Sequence, residues 1–260
     1  MSLKNQHTFV ICAYGDSPFL EECILSLVNQ ELKSQVILYT STPSDYIEKM
    51  CLKYNIPYHS KVGGGIGKDW NNALSFVKTK YATIAHQDDY YLPNYSLEIM
   101  EKASKVPDSL IIYSDYFEEK DGQKIAKTTN LKIKTFMLKG INILSSNKIW
   151  RRRILAFGNA ICCPAVTYNL EKLKGFQFDE NLKGNLDWIA WYKIGNMNGS
   201  FSFVPKELMC HRIHQESETS KTISDNTRSK EDLETFEIFW PKWIARLIMR
   251  QYVKAQKSND

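Results

Sequence analysis

Residues 82–93 read ATIAHQDDYYLP, and this stretch tells more about the chain than any other. A short apolar, β-prone run leads directly into the adjacent carboxylates Asp88 and Asp89, and Pro93 then ends the regular structure. Carboxylates at the carboxyl end of a buried strand lie where open α/β sheets bind ligands. Because adjacent acids repel each other unless a cation or a proton lies between them, the pattern favours a site for Mg²⁺ or Mn²⁺ that holds a phosphorylated substrate. The alternative is a strand followed by a solvated Asp-Asp turn.

Strand-like and helix-like segments alternate on both sides of this stretch. An apolar run at residues 8–14 is typical of a buried first strand, and residues 19–30 carry apolar side chains at helical spacing. A second strand, a second helix, a short third strand and a third helix are predicted at residues 36–40, 44–54, 57–59 and 68–78. A further helix and a further strand follow the Asp-Asp motif at residues 93–105 and 109–117. This alternation predicts a mostly parallel sheet with helices on both faces.

Three shorter patterns allow more than one interpretation. Glycines 63–65 and Gly67 predict either a hinge-like loop or a close approach of the backbone to a ligand. Asp121-Gly122 predicts a hairpin turn. The triplet Arg151-Arg152-Arg153 is either a solvated helix end or a contact with an acidic acceptor or a membrane phosphate.

Composition limits the class of protein. The chain has 260 residues, of which 43% are hydrophobic, so it can bury the core of one domain, with or without an appendage. Its 34 basic and 29 acidic residues leave a charge of +5, which is too weak to predict nucleic-acid binding but suits a phosphorylated ligand or an anionic membrane. Six cysteines without ligand spacing, no apolar signal segment and no membrane-spanning run predict a cytoplasmic protein with free thiols.

In their order along the chain, these segments resemble family 2 of the glycosyltransferases. The resemblance is carried by the first strand and helix at residues 10–30, by residues 69–74, by His86-Gln87-Asp88-Asp89 and by residues 178–188, and it covers roughly residues 8–220. It implies a GT-A fold, in which a Rossmann-like, mostly parallel α/β sheet is flanked by helices, with a C-terminal helical extension. The implied parts are a nucleotide-sugar-binding half at 1–117, a half with the acceptor site and catalytic base at 118–220, and a lid and amphipathic helix at 221–260.

The resemblance also implies site residues. Asp88, Asp89 and His214 would bind Mn²⁺ or Mg²⁺, and Asp187 would be the catalytic base. A nucleoside diphosphate sugar, with a UDP-sugar favoured, would contact residues at the strand ends and on the third helix: Ala13, Tyr14, Thr40, Ser41, Gly67, Lys68, Asp69, Asn71, His86, Gln87 and Arg212. Alternation along an extended segment sets Arg212 and His214 on one face, where arginine could neutralise phosphate, although a surface basic cluster is the alternative.

The second half of the chain supplies the acceptor side. Trp188 and Trp191 offer flat faces on which an acceptor sugar could stack, and packing in the core is the alternative. For Asp187, the alternative is a carboxylate that only stabilises a helix N-terminus. Residues 215–228 are rich in Ser and Thr and resemble a lid. Residues 235–254 mix aromatic and basic side chains, which predicts a helix that either lies on an anionic membrane or docks on the domain, with Pro241 beginning or bending it.

The chain departs from the family pattern at three positions. His86 stands where the first acidic residue of the metal motif is usual, and Leu186 replaces the glutamate of the usual Glu-Asp pair. The second strand ends in Tyr39-Thr40-Ser41-Thr42 instead of an aspartate that reads the base, which leaves the nucleobase open.

The leading hypothesis is a metal-dependent inverting glycosyltransferase that uses a saccharide or a lipid-linked acceptor in the synthesis of a cell-surface polysaccharide or glycolipid. One alternative is a nucleotidyltransferase, which would normally have a basic, Gly-rich loop after the first strand, a feature absent from Ala13-Tyr14-Gly15-Asp16. The other is a sugar-nucleotide binding module without turnover.

Overall fold

The computed structural model of the protein describes residues 5–214 and 227–257. Its strands are β1 (His7–Ala13), β2 (Gln35–Thr40), β3 (Tyr58–Ser60), β4 (Tyr81–His86), β5 (Tyr90–Tyr91), β6 (Ser109–Lys120), β7 (Gln123–Lys124), β8 (Val166–Asn169) and β9 (Ser200–Ile213). Its helices are α1 (Leu20–Val28), α2 (Asp45–Tyr54), α3 (Ile66–Ser75), α4 (Tyr95–Lys105), α5 (Thr129–Ile143), α6 (Lys148–Leu155), α7 (Leu186–Gly195), α8 (Thr227–Phe239) and α9 (Lys242–Lys257), and a 3₁₀ turn covers Cys163–Ala165.

One sheet contains all nine strands, in the order β3-β2-β1-β4-β8-β6-β9-β5 with β7 paired to β6. The pairs β3·β2, β2·β1, β1·β4 and β6·β9 are parallel, and β8 runs antiparallel between β4 and β6. β1, β2, β3, β4, β6 and β9 therefore share one direction, which confirms the predicted mostly parallel sheet. Because parallel strands end at the same edge, the loops after β1, β2, β4 and β9 lie together.

Helices cover both faces of the sheet, which explains why its strands read as continuous apolar runs. Successive side chains of a strand point to opposite faces, so Phe9 packs in one core with Ile24 and Ile99, whereas Val10 packs in the other core with Trp191. All of these side chains are buried. The predicted turn at Asp121-Gly122 is confirmed, since both residues have positive φ angles, 52° and 74°, as a two-residue hairpin requires.

His7, at the start of β1, makes the fold sensitive to acid. The ring is buried between Ser34 and Thr83, at 2.8 and 2.9 Å, and burial lowers the pKa of His7 to about 3. The unfolded chain takes up this proton near pH 6.5, so the free energy of unfolding falls as the pH drops from about 6.5 toward about 3, by ~1.4 kcal/mol per pH unit. Between about pH 7 and about pH 5, we expect the free energy of unfolding of His7→Gln to fall by ~2 kcal/mol less than that of the wild type, as measured by urea unfolding. An identical loss in both proteins would contradict this origin of the acid sensitivity.

The C-terminal segment forms two helices instead of one, because Pro241 separates α8 from α9. Both helices dock on the domain. Phe236 is buried edge-on against Trp188, with 5.0 Å between ring centroids, and Glu231 accepts hydrogen bonds from the backbone N–H groups of residues 183–185 just before α7. Docking, one of the two predicted alternatives, is thus found, while Trp243 and Leu247 on α9 remain 66% and 51% exposed.

Two further expectations need correction or qualification. Arg151 is fully buried and donates to the carbonyl oxygens of residues 145, 195, 197 and 199, so it is neither a solvated helix end nor an acceptor contact. Its forked guanidinium closes the carboxyl end of α7 instead. The predicted division after residue 117 falls inside β6, and the predicted lid at 215–228 lies outside the described residues except for its last two positions.

No helix in the described ranges combines the length and the apolar character that crossing a bilayer requires.

Candidate active site

The candidate site lies at the carboxyl edge of the parallel strands, where the turn after β4 meets the end of β9. Asp88 and Asp89 form that turn, and residues 211–214 come from the end of β9. The two segments are far apart in the sequence and are brought together by the position of β9 in the sheet.

Asp89 joins these two segments. Its side chain is 1% exposed, and one carboxylate oxygen accepts the backbone N–H of Arg212 at 2.9 Å and lies 3.2 Å from His211 Nδ1. Burial opposes a charge on the imidazole, but the carboxylates of Asp89 and Asp88 outweigh it and raise the pKa of His211 to about 9. The alternative of a solvated Asp-Asp turn is therefore wrong for Asp89, which fixes β9 against the turn.

Asp88 is the more accessible of the two acids. Its Oδ2 lies 2.8 Å from Nε2 of His214, so the predicted pairing of this motif with the end of β9 is found. Burial favours the neutral acid, but the imidazoles of His86, His214 and His211 lower the pKa of Asp88 below its usual value. The carboxylate is thus ready to bind a cation at neutral pH.

The donor set fits a divalent metal. Ligand atoms of His86, Asp88 and Asp89 all lie within 4.8 Å of one another. Nε2 of His86 is buried without a hydrogen-bond partner in residues 5–214 and 227–257, and its ring stacks on Trp70. Carboxylate and imidazole groups in such a cluster are suitable ligands for Mn²⁺, and the carboxylates alone suit Mg²⁺.

Arg212 has a different role from the predicted one. Its guanidinium is buried and bridges Glu22 at 2.7 Å and Glu119 at 3.3 Å, and it donates to the backbone carbonyl of Asp88 at 3.0 Å. Because two carboxylates already neutralise this charge, Arg212 is not a free partner for phosphate. It positions the metal-motif turn instead.

The predicted donor residues fall into two groups. Gln87 exchanges two hydrogen bonds with the backbone of Tyr14, while Ala13 and Thr40 are buried at their strand ends. Ser41 donates to Asp69 at 2.8 Å, and Lys68 lies beside the glycine loop. These residues line the carboxyl ends of β1, β2 and β4, where a nucleotide would lie.

Gly67 and Asn71 make contacts other than those predicted. A Cβ on Gly67 would lie 2.4 Å from the backbone oxygen of Asp179, and the Asn71 amide exchanges two hydrogen bonds with the backbone of Phe178. Both residues therefore hold α3 against the segment that precedes α7. The backbone approach predicted for Gly67 is to the protein itself and not to a ligand.

Asp187 lies at the start of α7, as predicted. Its two oxygens accept the N–H of Trp188 at 2.8 Å and the side-chain amide of Asn159 at 2.6 Å. The side-chain amide of Asn159 thus holds the Asp187 carboxylate at the start of α7.

The two tryptophans do not offer stacking faces. Trp188 and Trp191 are fully buried, and their indole N–H groups donate to the backbone oxygens of Leu155 and Ile161. Trp188 packs against Phe236 of α8. Core packing is thus correct and acceptor stacking is wrong, because α8 covers Trp188 and Tyr168 stacks on Trp191.

Pattern reasoning missed several residues of the site. Alternation along β9 places His211 on the opposite face from Arg212, and its ring Nδ1 lies 3.2 Å from Asp89. Asn159 orients Asp187, and Glu22 and Glu119 hold Arg212. No local sequence pattern identifies these contacts, because the partners lie far apart in the chain, up to 190 residues for Glu22 and Arg212.

A cavity of about 250 Å³ adjoins the other side of Arg212. Its lining includes Glu22, Glu119 and Asp121 together with Arg212 and His214, so the cavity adjoins the end of β9.

Comparison with known proteins identifies the family. A model of glycosyl transferase family 2 matches residues 8–165, more than half of the chain. The chain belongs to glycosyltransferase family 2. The family 2 match includes the metal-motif turn and ends before Asp187 and β9. It makes the chain a glycosyltransferase, and the sheet topology agrees with the GT-A fold.

Solved structures support the fold of this family 2 chain. S. aureus TarS, residues 1–349 in complex with UDP-GlcNAc, has a TM-score of 0.68 and 16% identity, covering 95% of this chain and 71% of the other. The mannosyltransferase PcManGT from Pyrobaculum calidifontis, in complex with GDP-Man and Mn²⁺, has a TM-score of 0.67 and 13% identity, covering 95% and 70%. No curated protein sequence matches the chain.

Proposed function

We propose that the protein is a metal-dependent inverting glycosyltransferase that moves a sugar from a nucleoside diphosphate to an acceptor hydroxyl. The observation that carries this proposal is the cluster of His86, Asp88 and Asp89 at the carboxyl edge of the sheet, with His214 at 2.8 Å from Asp88. TarS in complex with UDP-GlcNAc and PcManGT in complex with GDP-Man and Mn²⁺ support a nucleotide-sugar donor and a divalent metal.

The chemistry divides between two carboxylates. Asp88, with His86 and His214, would hold Mn²⁺ or Mg²⁺, which supplies positive charge to the departing diphosphate. Asp187 takes the proton from the acceptor hydroxyl as the hydroxyl oxygen attacks the anomeric carbon. Asn159 keeps the Asp187 carboxylate in place through its side-chain amide. Attack and departure on opposite faces of the sugar in one step invert the anomeric configuration.

The partners follow from the same assignment. We infer a UDP-sugar as the favoured donor and a saccharide or a lipid-linked saccharide as the acceptor, in the synthesis of a cell-surface polysaccharide or glycolipid. The protein would act in the cytoplasm, at the inner face of the membrane where lipid-linked acceptors are found.

The function can be tested by the release of nucleoside diphosphate. The protein is incubated with a panel of nucleotide sugars and Mn²⁺, with and without saccharide acceptors, and free nucleoside diphosphate is measured. Turnover with at least one donor supports the proposal. Tight binding without any release would instead identify a sugar-nucleotide binding module.

Membrane contact is proposed through the outer face of α9. Trp243, Arg246, Leu247 and Arg250 repeat at helical spacing on the face that points away from Phe236, and all four are exposed. Aromatic, aliphatic and basic side chains on one face suit an anionic lipid surface. We expect Arg246→Gln with Arg250→Gln to weaken binding to phosphatidylglycerol vesicles, measured by sedimentation, about thirtyfold, at ~1 kcal/mol per basic residue.

A matched control for this prediction neutralises Lys49 and Lys53 on α2, which removes the same charge from a surface distant in sequence from α9. The control is expected to bind the vesicles as the wild type does. Equal loss in both double variants would show that only net charge matters, and unchanged binding of the α9 variant would refute the contact. Truncation after residue 235 is unsuitable, because it would expose the core around Trp188.

A further inference from the structure

The carboxylate of Asp69 lies at the end of β2, away from the metal cluster. Asp69, in the first turn of α3, accepts hydrogen bonds from the Tyr39 hydroxyl at 3.0 Å and the Ser41 hydroxyl at 2.8 Å. No lysine, arginine or histidine forms an ion pair with it in the part of the chain that the structure describes. Its negative charge is therefore balanced only by hydrogen bonds.

The surroundings hold this carboxylate in one orientation. Burial raises the pKa of Tyr39 to about 12, so its phenol keeps its proton and donates it. Asn72 in turn donates to the Tyr39 oxygen at 3.1 Å. A Cβ on Gly63 would lie only 2.6 Å from Cβ of Ser41 and 3.1 Å from Oδ1 of Asp69, so the glycine loop closes against this pair.

The order of the strands indicates which part of a nucleotide would reach Asp69. β2 is separated from β4 by β1 alone, so its end lies two strand spacings, about 10 Å, from the turn that carries Asp88. β8, which follows Cys162 and the region near Asp187, lies on the other side of β4. With the diphosphate at Asp88, the ribose would lie over the end of β1 and the base over the end of β2.

The hydrogen-bonding properties of a carboxylate then limit which nucleobases Asp69 can bind. An ionised carboxylate only accepts hydrogen bonds, and its two oxygens offer about four lone-pair positions, of which Tyr39 and Ser41 use two. Uracil and guanine carry a protonated ring nitrogen that can donate to a remaining position. Cytosine and adenine present a lone pair at the corresponding ring nitrogen, which a carboxylate repels, and they can donate only through the adjacent exocyclic amino group.

We propose that Asp69, held by Tyr39 and Ser41, is the base-reading residue of this protein and selects a nucleoside diphosphate whose base has a ring N–H, uracil or guanine, against cytosine and adenine. The assignment rests on the proposed function. The end of β2 has only hydroxyl side chains at residues 39–42, and Asp69 of α3 brings a carboxylate to it.

Calorimetric titration with UDP, GDP, CDP and ADP in the presence of Mn²⁺ tests the assignment. We expect UDP or GDP to bind at least about tenfold more tightly than CDP and ADP, because a carboxylate that faces the ring nitrogen gains a hydrogen bond from uracil or guanine and meets a lone pair on cytosine or adenine. The stronger of the UDP and GDP arms identifies the base. In Asp69→Asn, whose amide can both donate and accept, the preference should fall about tenfold, toward equal binding.

Control variants separate base reading from folding. Asp45→Asn removes an exposed carboxylate from the nearby start of α2 and should keep the wild-type preference. Ser41→Ala keeps the carboxylate but removes the hydrogen bond to one of its oxygens, so it should lower the base preference about threefold. This variant replaces Asp69→Asn in the test if Asp69→Asn does not fold. An unchanged base preference in a folded Asp69→Asn protein overturns the assignment. The assignment also fails if the 2′-deoxynucleotide binds the wild type as weakly as the ribonucleotide binds Asp69→Asn, because Asp69 would then contact the ribose. If none of the four nucleotides binds the wild type, the proposed function itself fails.

Discussion

Replacing Asp187 with asparagine is expected to lower kcat for sugar transfer by about 10³-fold while the dissociation constant for the nucleoside diphosphate stays within about twofold. The amide keeps the size of the side chain, and its one oxygen can still accept one of the two hydrogen bonds, from the Trp188 N–H or from Asn159. It cannot take a proton from the acceptor hydroxyl. Because Asp187 approaches from α7 and not from the strand ends that would hold the nucleotide, donor affinity should be insensitive to the change.

The measurement is initial-rate transfer under saturating donor, together with calorimetric titration of the nucleotide. Asp179→Asn is the matched control, since this carboxylate precedes α7 and pairs on the surface with Lys193. The control should retain kcat within about twofold, as expected for a surface ion pair. A kcat for Asp187→Asn within about tenfold of the wild type would exclude Asp187 as the base, whatever its effect on KM.

The fold was predictable because its signals are local. Each strand of the parallel sheet is buried on both faces and reads as an apolar run, as in residues 8–14, and each helix shows its own spacing. The meeting of the Asp-Asp turn with His214 was predictable from the family resemblance, and the structure contains this contact at 2.8 Å. Both predictions needed no knowledge of which side chains pack together.

The errors all involve partners that are distant in the sequence. Arg212 lost its predicted phosphate role to Glu22, which lies 190 residues earlier, and Trp188 lost its exposed face to Phe236 of α8. Asn71 has the polar side chain expected near a donor, yet the backbone of Phe178 occupies its amide. A motif identifies a residue type that can bind a ligand, but only tertiary packing decides whether the protein has already used that side chain.

The other large effect is expected at Asp88. Asp88→Asn removes the negative charge that would hold the metal, so the charge on the departing diphosphate loses its stabilisation, and we expect kcat/KM to fall by at least about 10³-fold, or ~4 kcal/mol. The Asp88 backbone carbonyl that binds Arg212 is retained, and Asp89 still anchors β9. The turn should therefore keep its structure and the variant its melting temperature without ligands.

Thermal denaturation isolates the metal contribution from catalysis. In the wild type, Mn²⁺ and a nucleoside diphosphate together should raise the melting temperature more than the sum of their separate effects, because each stabilises the binding of the other. Asp88→Asn should lose this excess. Glu171→Gln, which removes an exposed carboxylate beside Lys80 at the opposite edge of the sheet, should keep it. If Asp88→Asn retained the excess stabilisation, the metal would have to be bound elsewhere, and the low pKa of Asp88 would reflect only its neighbouring histidines.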